Sequence, residues 1–210
     1  AFAIINPKKK SAFSNLENLC ATGVVFFLLI SINRKLKKIR YFESSLPNLM
    51  KYLDLVALAT VCDLVKLDEI NRTIVKQGIK IFNQSKNIGL NSLIKASLIN
   101  QNINEYHLGF IIGPRINAGG RVGDSKVGVD LLTSKDLCKS EVLSDKLCEY
   151  NNKRKLIEKK VEIDALTQVK KNDSDIICVS KCNWHPGVIG IVAARLTEQF
   201  DRPSIVISEN

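Results

Sequence analysis

Between Asp175 and Ser208 the sequence reads strand, helix, strand, and no other stretch restricts the fold so tightly. Asp175 to Ser180 is a strand by its apolar character. Gly187 to Phe200 is helical, and Arg202-Pro203 turns the chain into a second strand, Ser204 to Ser208. Two strands joined through a helix in one sheet run parallel, and the crossover is right-handed. This part of the chain must therefore be α/β.

Ahead of it lies a long helical pattern. From Ser134, a suitable N-cap, it runs to about Lys171, where Asn172-Asp173 ends it. Leu143, Leu147, Tyr150, Ile157, Val161 and Ala165 fall on one stripe at helical spacing. At 1.5 Å per residue such a helix is on the order of 50 Å long, a length suited to joining domains.

The first half reads as short elements. Phe2 to Asn6 is an apolar strand stopped by Pro7 and a lysine run. Glu17 to Lys38 is a helix expected to be buried through its middle, Val24 to Ile32. That run is too short to cross a bilayer, which takes roughly 20 residues, so no membrane anchor is expected. Tyr52 to Leu67 reads as a buried helix interrupted by Asp54 and Asp63. Further helices are expected over Asn71–Asn83, Leu90–Ile99, Glu105–Ile112 and Lys126–Leu132. Gly113 to Asp124, rich in glycine and arginine, reads as a loop. The chain opens without Met, and both ends look like strands of a sheet that continues elsewhere. An internal fragment is the expectation.

Charge narrows the partners. The chain has 31 Lys and Arg against 21 Asp and Glu, a net charge of +10, which draws polyanions such as nucleic acid. The same surplus also serves solubility alone. With 45% hydrophobic and 25% charged residues, long disordered stretches are not expected. The six cysteines show no zinc-knuckle spacing, and no secretory segment is visible. Reduced thiols in a cytoplasmic protein are expected.

Three places carry possible chemistry. Asp63 sits inside Val61-Cys62-Asp63-Leu64-Val65, where burying an ionised carboxylate is costly unless a cation or several donors meet it. It is either a hard oxygen ligand for Mg²⁺ or Mn²⁺, or a helix-terminal cap. Asp54 and Asp68 are expected to be surface or cap residues. In Gly113–Gly123, Arg115 and Arg121 flank Asn117, a set that suits a phosphate or a carboxylate. The other reading is a tight turn whose arginines pair with acids. Trp184-His185-Pro186-Gly187 lies between a strand and a helix N-terminus, where backbone N–H groups favour anions. Trp184 is then either a base-stacking ring or a core residue, and His185 a phosphate donor or a turn residue.

In this order, Asp54 to Val65 with Leu67, Asn71 and Arg72, then Gly113-Pro114-Arg115-Ile116-Asn117-Ala118-Gly119-Gly120-Arg121, then His185 to Leu196, resemble the RecJ family of single-strand-specific DNA exonucleases in the DHH phosphoesterase superfamily. Gly23 to Leu29, after Asn6-Pro7, resembles the helix that follows the family's DHH motif. The resemblance implies the later part of a DHH-type domain (1–133), a long connecting helix (134–171) and the start of a DHHA1-type α/β domain (172–210). It implies 5′-to-3′ hydrolysis of single-stranded DNA with Mn²⁺ or Mg²⁺, in repair and recombination. Asp63 matches a metal-holding aspartate. Arg115, Asn117 and Arg121 match a loop facing the active-site groove, and His185 and Gly187 lie in a motif that meets DNA. Helicases and single-strand-binding proteins are the partners it suggests. The family's other aspartate motifs and paired histidines would lie upstream of Ala1, so the chain alone is expected to be inactive. Lys66 and Gly119 depart from the family's proline and alanine. The alternatives are a DHH phosphodiesterase acting on short oligonucleotides or cyclic dinucleotides, and a non-catalytic DNA-binding relative.

Overall fold

The computed structural model describes residues 3–9, 15–40, 46–169 and 175–209. The chain forms two compact units, Ala1–Pro114 and Arg115–Asn210.

The first unit is helical. Helix α1 (Ala21–Lys38) is started by Cys20, whose Sγ accepts from the Gly23 N–H at 3.3 Å, and Lys35, Lys37 and Lys38 sit against its negative C-terminal end. A short 3₁₀ turn (Leu49–Tyr52) leads into α2 (Leu53–Cys62), followed by α3 (Glu69–Phe82) and α4 (Ile88–Ala96). Asp68 caps α3, with Oδ1 accepting from the Asn71 N–H at 3.0 Å, and Asn87 caps α4 in the same way at 2.9 Å. Phe26 of α1, Leu53 and Val56 of α2 and Ile74 of α3 make one apolar cluster. Gly78 lets α3 lie close on α2, since a methyl there would run into Ala57 Cβ and the Leu53 carbonyl oxygen.

Several expectations for this unit fail. The middle of α1 is not buried. Gly23 and Phe26 are its buried residues, while Val25, Leu28, Leu29, Ile30 and Ile32 are exposed. Three or four residues per two turns can face a single neighbour, and an all-apolar run leaves the remainder outward. Residues 3–6 form no strand, and no neighbouring strand lies among the described residues to complete a ladder; Phe2 lies outside them. Helix α2 stops at Cys62 rather than reaching Leu67, because Leu64 turns left-handed at φ 51°. Asp54, expected at the surface or in a cap, is 3% exposed; its Oδ2 accepts from Ser85 Oγ at 2.8 Å and its Oδ1 from the Leu55 N–H at 2.7 Å.

The second unit carries α5 (Gly113–Val122, counted with it from Arg115), α6 (Lys126–Thr133), α7 (Leu137–Val169), β1 (Ile177–Cys182), α8 (Pro186–Phe200) and β2 (Ser204–Glu209). Strands β1 and β2 pair in parallel, Ile177 opposite Ser204 and Cys182 opposite Glu209, as the strand-helix-strand order requires. Helix α7 has 33 residues, about 50 Å of length. Leu147, Val161 and Ala165 of the expected stripe are buried and Leu143, Tyr150 and Ile157 half-buried. The C-terminal turns of α7 pack under the sheet and α8 through Val161, Ala165, Val169, Val179, Val188, Val192 and Leu196. The expected stop at Asn172-Asp173 lies outside the described residues.

Gly113–Gly123 is not a loop. Gly113–Val122 is an α-helix, and no glycine in the described chain has positive φ. Its glycines serve close packing instead. A methyl on Gly119 would press on the Asp124 carbonyl oxygen, and one on Gly123 would enter the Tyr150 ring of α7. Ala118 on the same helix is fully buried. Glycine and arginine content pointed to a loop, but helix packing overrode local propensity.

Candidate active-site and nucleic-acid-binding residues

Asp63 is the C-cap of α2, with its N–H bonded to the Ala59 carbonyl at 2.9 Å. Its side chain is exposed, so the reasoning that a buried carboxylate there needed a cation does not hold. Nor does it cap the next helix, a task that falls to Asp68. What the structure gives Asp63 is a fixed mount. Cys62 beside it donates to the Leu108 carbonyl at 3.7 Å, and Gly113 and Gly109 let the following helix close on Cys62 and Val61. Burial, then the Asp63 charge, then Cys20 push the Cys62 thiol up to about 11, so it stays protonated at neutral pH. An exposed carboxylate on a rigid helix end suits a hard cation as one ligand among several. Among the described residues, no group of three or more His, Cys, Asp or Glu gathers around a common point.

In the second unit the structure brings together Arg121, His185 and Gly187. Arg121 Nη1 donates to the Gly187 carbonyl at 3.1 Å, and the Arg121 carbonyl lies so close to Gly187 that a methyl there would collide with it. Here glycine is required by close approach, not by backbone angle. His185 caps α8, its Nδ1 accepting from the Gly187 N–H at 3.0 Å. With Nδ1 accepting, the neutral ring carries its proton on Nε2, which is left as a donor. Asn117 is exposed and lies one helical turn before Arg121 on the same face of α5. Arg115, on the same helix, has its Nε donating to Cys148 Sγ of α7 at 3.4 Å.

Two details differ from the sequence reading. The start of α8 offers fewer open N–H groups than expected, since Pro186 has none, Gly187 gives its own to His185 Nδ1, and Val188 gives its own to the His185 carbonyl at 3.1 Å. Trp184 is not a stacking platform. It is 4% exposed within the core cluster, and its Nε1 donates to Asp164 Oδ2 at 3.3 Å. Sequence reasoning passed over Asp164 altogether. Its carboxyl is held below the usual range by Lys181, then by Trp184. Also missed was Glu158, 2% exposed, which pairs with Arg154 and Arg195 while Arg195 also meets Glu162 at 2.7 Å. A lone glutamate in a charged helix gives no signal of burial.

The molecule is thus a mixed α/β chain whose β-α-β unit presents a histidine at its strand-to-helix turn, met there by an arginine of α5. Comparison with known proteins makes this specific. No protein-family model matches the chain. It is 33% identical to the single-stranded-DNA-specific exonuclease RecJ of Haemophilus influenzae over 220 residues, and 36% identical to that of Escherichia coli over 219, matching 100% and 99% of this chain. It spans 38% of the length of either relative. RecJ from Thermus thermophilus in complex with Mn²⁺ superposes with a TM-score of 0.82 at 29% identity, over 95% of this chain and 28% of that one. The Mg²⁺ complex of the same enzyme gives 0.78 at 31%, over 89% and 28%. The chain belongs to the RecJ family.

Proposed function

We propose that this chain is part of a metal-dependent exonuclease that removes nucleotides 5′-to-3′ from single-stranded DNA in repair and recombination. The observation that carries the reading is similarity along essentially the whole chain to proteins named for that activity. In this reading residues 1–133 belong to a DHH-type domain, 134–171 to the connector and 172–210 to a DHHA1-type domain. The protein works in the cytoplasm, in company with a helicase or a single-strand-binding protein. No described helix is long and apolar enough to cross a membrane.

Asp63 would supply one carboxylate to Mn²⁺ or Mg²⁺, the ions in the similar solved structures. Such ions, when bound, lower the pKa of a water and stabilise the leaving oxygen of a phosphodiester. The chain's own groups bind and orient the strand. Arg121 spends one N–H on Gly187 and has the others for phosphate oxygens. His185 Nε2–H donates beside it, and Asn117 extends the track along α5. Arg115, tied to Cys148, holds α5 on α7 as well as adding charge. Asp63 is the one carboxylate this reading gives the ions, and no cluster of three or more possible ligands lies among the described residues, so the 210 residues alone should not cut DNA.

The test uses the full-length protein of this gene and a 5′-labelled single strand with Mn²⁺. Release of labelled nucleotides, absent on a blunt duplex, is expected. Asp63→Ala should lower the rate by several orders of magnitude and leave the melting temperature within a few degrees. Equal cutting of single strand and duplex, or a fully active Asp63→Ala, would remove the reading.

A further inference from the structure

A pocket of about 510 Å³ opens in the first unit, and none of the residues assigned above lines it. Ser97, Asn100, Gln101 and Asn104 give its walls hydrogen-bonding groups, and Tyr106 and His107 come from the helical turn that follows. Its lining includes no Lys, Arg, Asp or Glu, so it is not built for a phosphate or a metal ion. Tyr106, in the pocket wall, stacks with Phe110 beside it, the centroids 5.1 Å apart and the planes 24° from parallel. Both rings face solvent, Tyr106 at 60% and Phe110 at 71% exposure, and no other described aromatic is as exposed as Phe110. They lie where the helix widens to π form over His107–Ile112, a local irregularity common at functional sites.

The amides are held in place. His107 is 4% exposed, and its Nδ1 accepts from the Asn104 N–H at 3.1 Å. The ring proton therefore sits on Nε2, which lies 3.1 Å from the Gln101 amide. Gln101 must turn its carbonyl oxygen to that proton, which directs its NH₂ away from the imidazole. Asn104 Oδ1 accepts from the His107 N–H at 3.1 Å, leaving the Asn104 NH₂ as a second donor. A neutral pocket with an aromatic platform and preset amide edges fits a flat heterocycle with its own donors and acceptors. The unit around it has fifteen Lys and Arg against seven Asp and Glu, which attracts the polyanion such a ring belongs to.

We propose that this pocket takes an unpaired base of a DNA single strand, stacked on the Tyr106–Phe110 pair and edged by Gln101 and Asn104. The proposal rests on the single-strand reading given above. The test separates the two. Thymidine, which has a base and no phosphate, is titrated into the 210-residue chain and followed by backbone and amide NMR shifts. Shifts should centre on residues 98–111 and vanish in Phe110→Leu, which keeps apolar bulk and loses the ring. A dT₁₂ strand should bind about tenfold tighter than an abasic strand of equal length, and Phe110→Leu should erase that difference without changing the salt dependence. Absence of thymidine shifts at millimolar concentration, or shifts centred elsewhere, would overturn the proposal. So would self-association of the wild type that Phe110→Leu abolishes, since the ring pair would then be a contact between copies. If thymidine binds here while the full-length protein cuts no DNA, the base site stands and the nuclease reading falls.

Discussion

The two compact units carry similar amounts of positive charge and use it differently. Residues 1–114 hold fifteen Lys and Arg against seven Asp and Glu, while residues 115–210 hold sixteen against fourteen. Most of the chain's +10 therefore belongs to the first unit. In the second, acids and bases pair with one another: the buried Glu158 sits between Arg154 and Arg195, and at the surface Lys181 pairs with Asp164 at 2.8 Å. Yet Arg121 and His185, the side chains proposed to hold a phosphate, lie in the nearly neutral unit. Attraction of a polyanion and placement of its phosphates are separate tasks, and net charge reports on the first alone.

The largest effect expected from breaking this pattern is at Glu158. Glu158→Ala takes the carboxylate from the largely buried Arg154, which keeps Asn151, while the half-exposed Arg195 keeps Glu162, and should cost about 3 kcal/mol in urea unfolding of the chain. A cost below about 1 kcal/mol would mean that the internal pairing does not hold α8 to α7, and that the second unit's neutrality is incidental to its fold. Next in size is a methyl at a helix crossing in each unit. Gly187→Ala would push on the Arg121 carbonyl and Gly78→Ala on the Leu53 carbonyl, and each should lower stability by about 1–3 kcal/mol. Gly187→Ala should also weaken single-strand binding, because it displaces Arg121, whereas Gly78→Ala should leave binding of the folded fraction unchanged. Equal loss of binding in both would dissolve the assignment of phosphate contacts to the second unit.

A smaller, pH-dependent effect is expected at Asp68. The Asn71 N–H, then the Asn18 side chain, lower its pKa from the ordinary 3.8. A lowered folded-state value means that the cap stabilises fully above the unfolded pKa, and that this stability is lost as pH falls through the folded one. Asp68→Ala should thus cost about 1 kcal/mol at pH 7, and the difference between mutant and wild type should close in acid. A mutant penalty that persists unchanged at about pH 2, below the usual carboxylate range, would show that the residue acts through packing instead of its charge.

What the sequence made legible follows from periodicity. The β-α-β unit and α7 are long, regular patterns, and among the described residues both were readable with boundaries ranging from exact to three residues off. Where local composition stood in for pattern, the reading failed. Glycines in Gly113–Val122 looked like turn residues, but Gly113 makes room for Cys62 of α2 and Gly119 for the Asp124 carbonyl beyond the helix end, properties of what they touch and not of the segment. The apolar middle of α1 looked buried because hydropathy cannot say how many neighbours a helix has. At the candidate site, His185, Gly187 and Arg121 were picked out separately, but their meeting depends on α5 touching the start of α8, 66 residues on. The Tyr106–Phe110 pair was readable in principle as two aromatics one helical turn apart, a spacing that also describes a core stripe.

The finest test of the contrast between units is the salt dependence at Arg121. A side chain that neutralises one phosphate releases about one counterion, so Arg121→Ala should make the log–log salt slope of single-strand binding shallower by about 1. Arg121→Lys keeps the charge and loses the planar fork. It should preserve the slope and still weaken binding, because a lysine cannot hold Gly187 and a phosphate at the same time with fixed geometry. Lys35→Ala at the exposed end of α1 supplies the comparison from the basic unit. If Lys35 contributes only long-range attraction, its removal lowers affinity at low salt and the loss fades by about 0.15 M, where the Debye length is roughly 8 Å. An Arg121→Ala slope identical to wild type, beside a shallower one for Lys35→Ala, would move the phosphate contacts to the first unit.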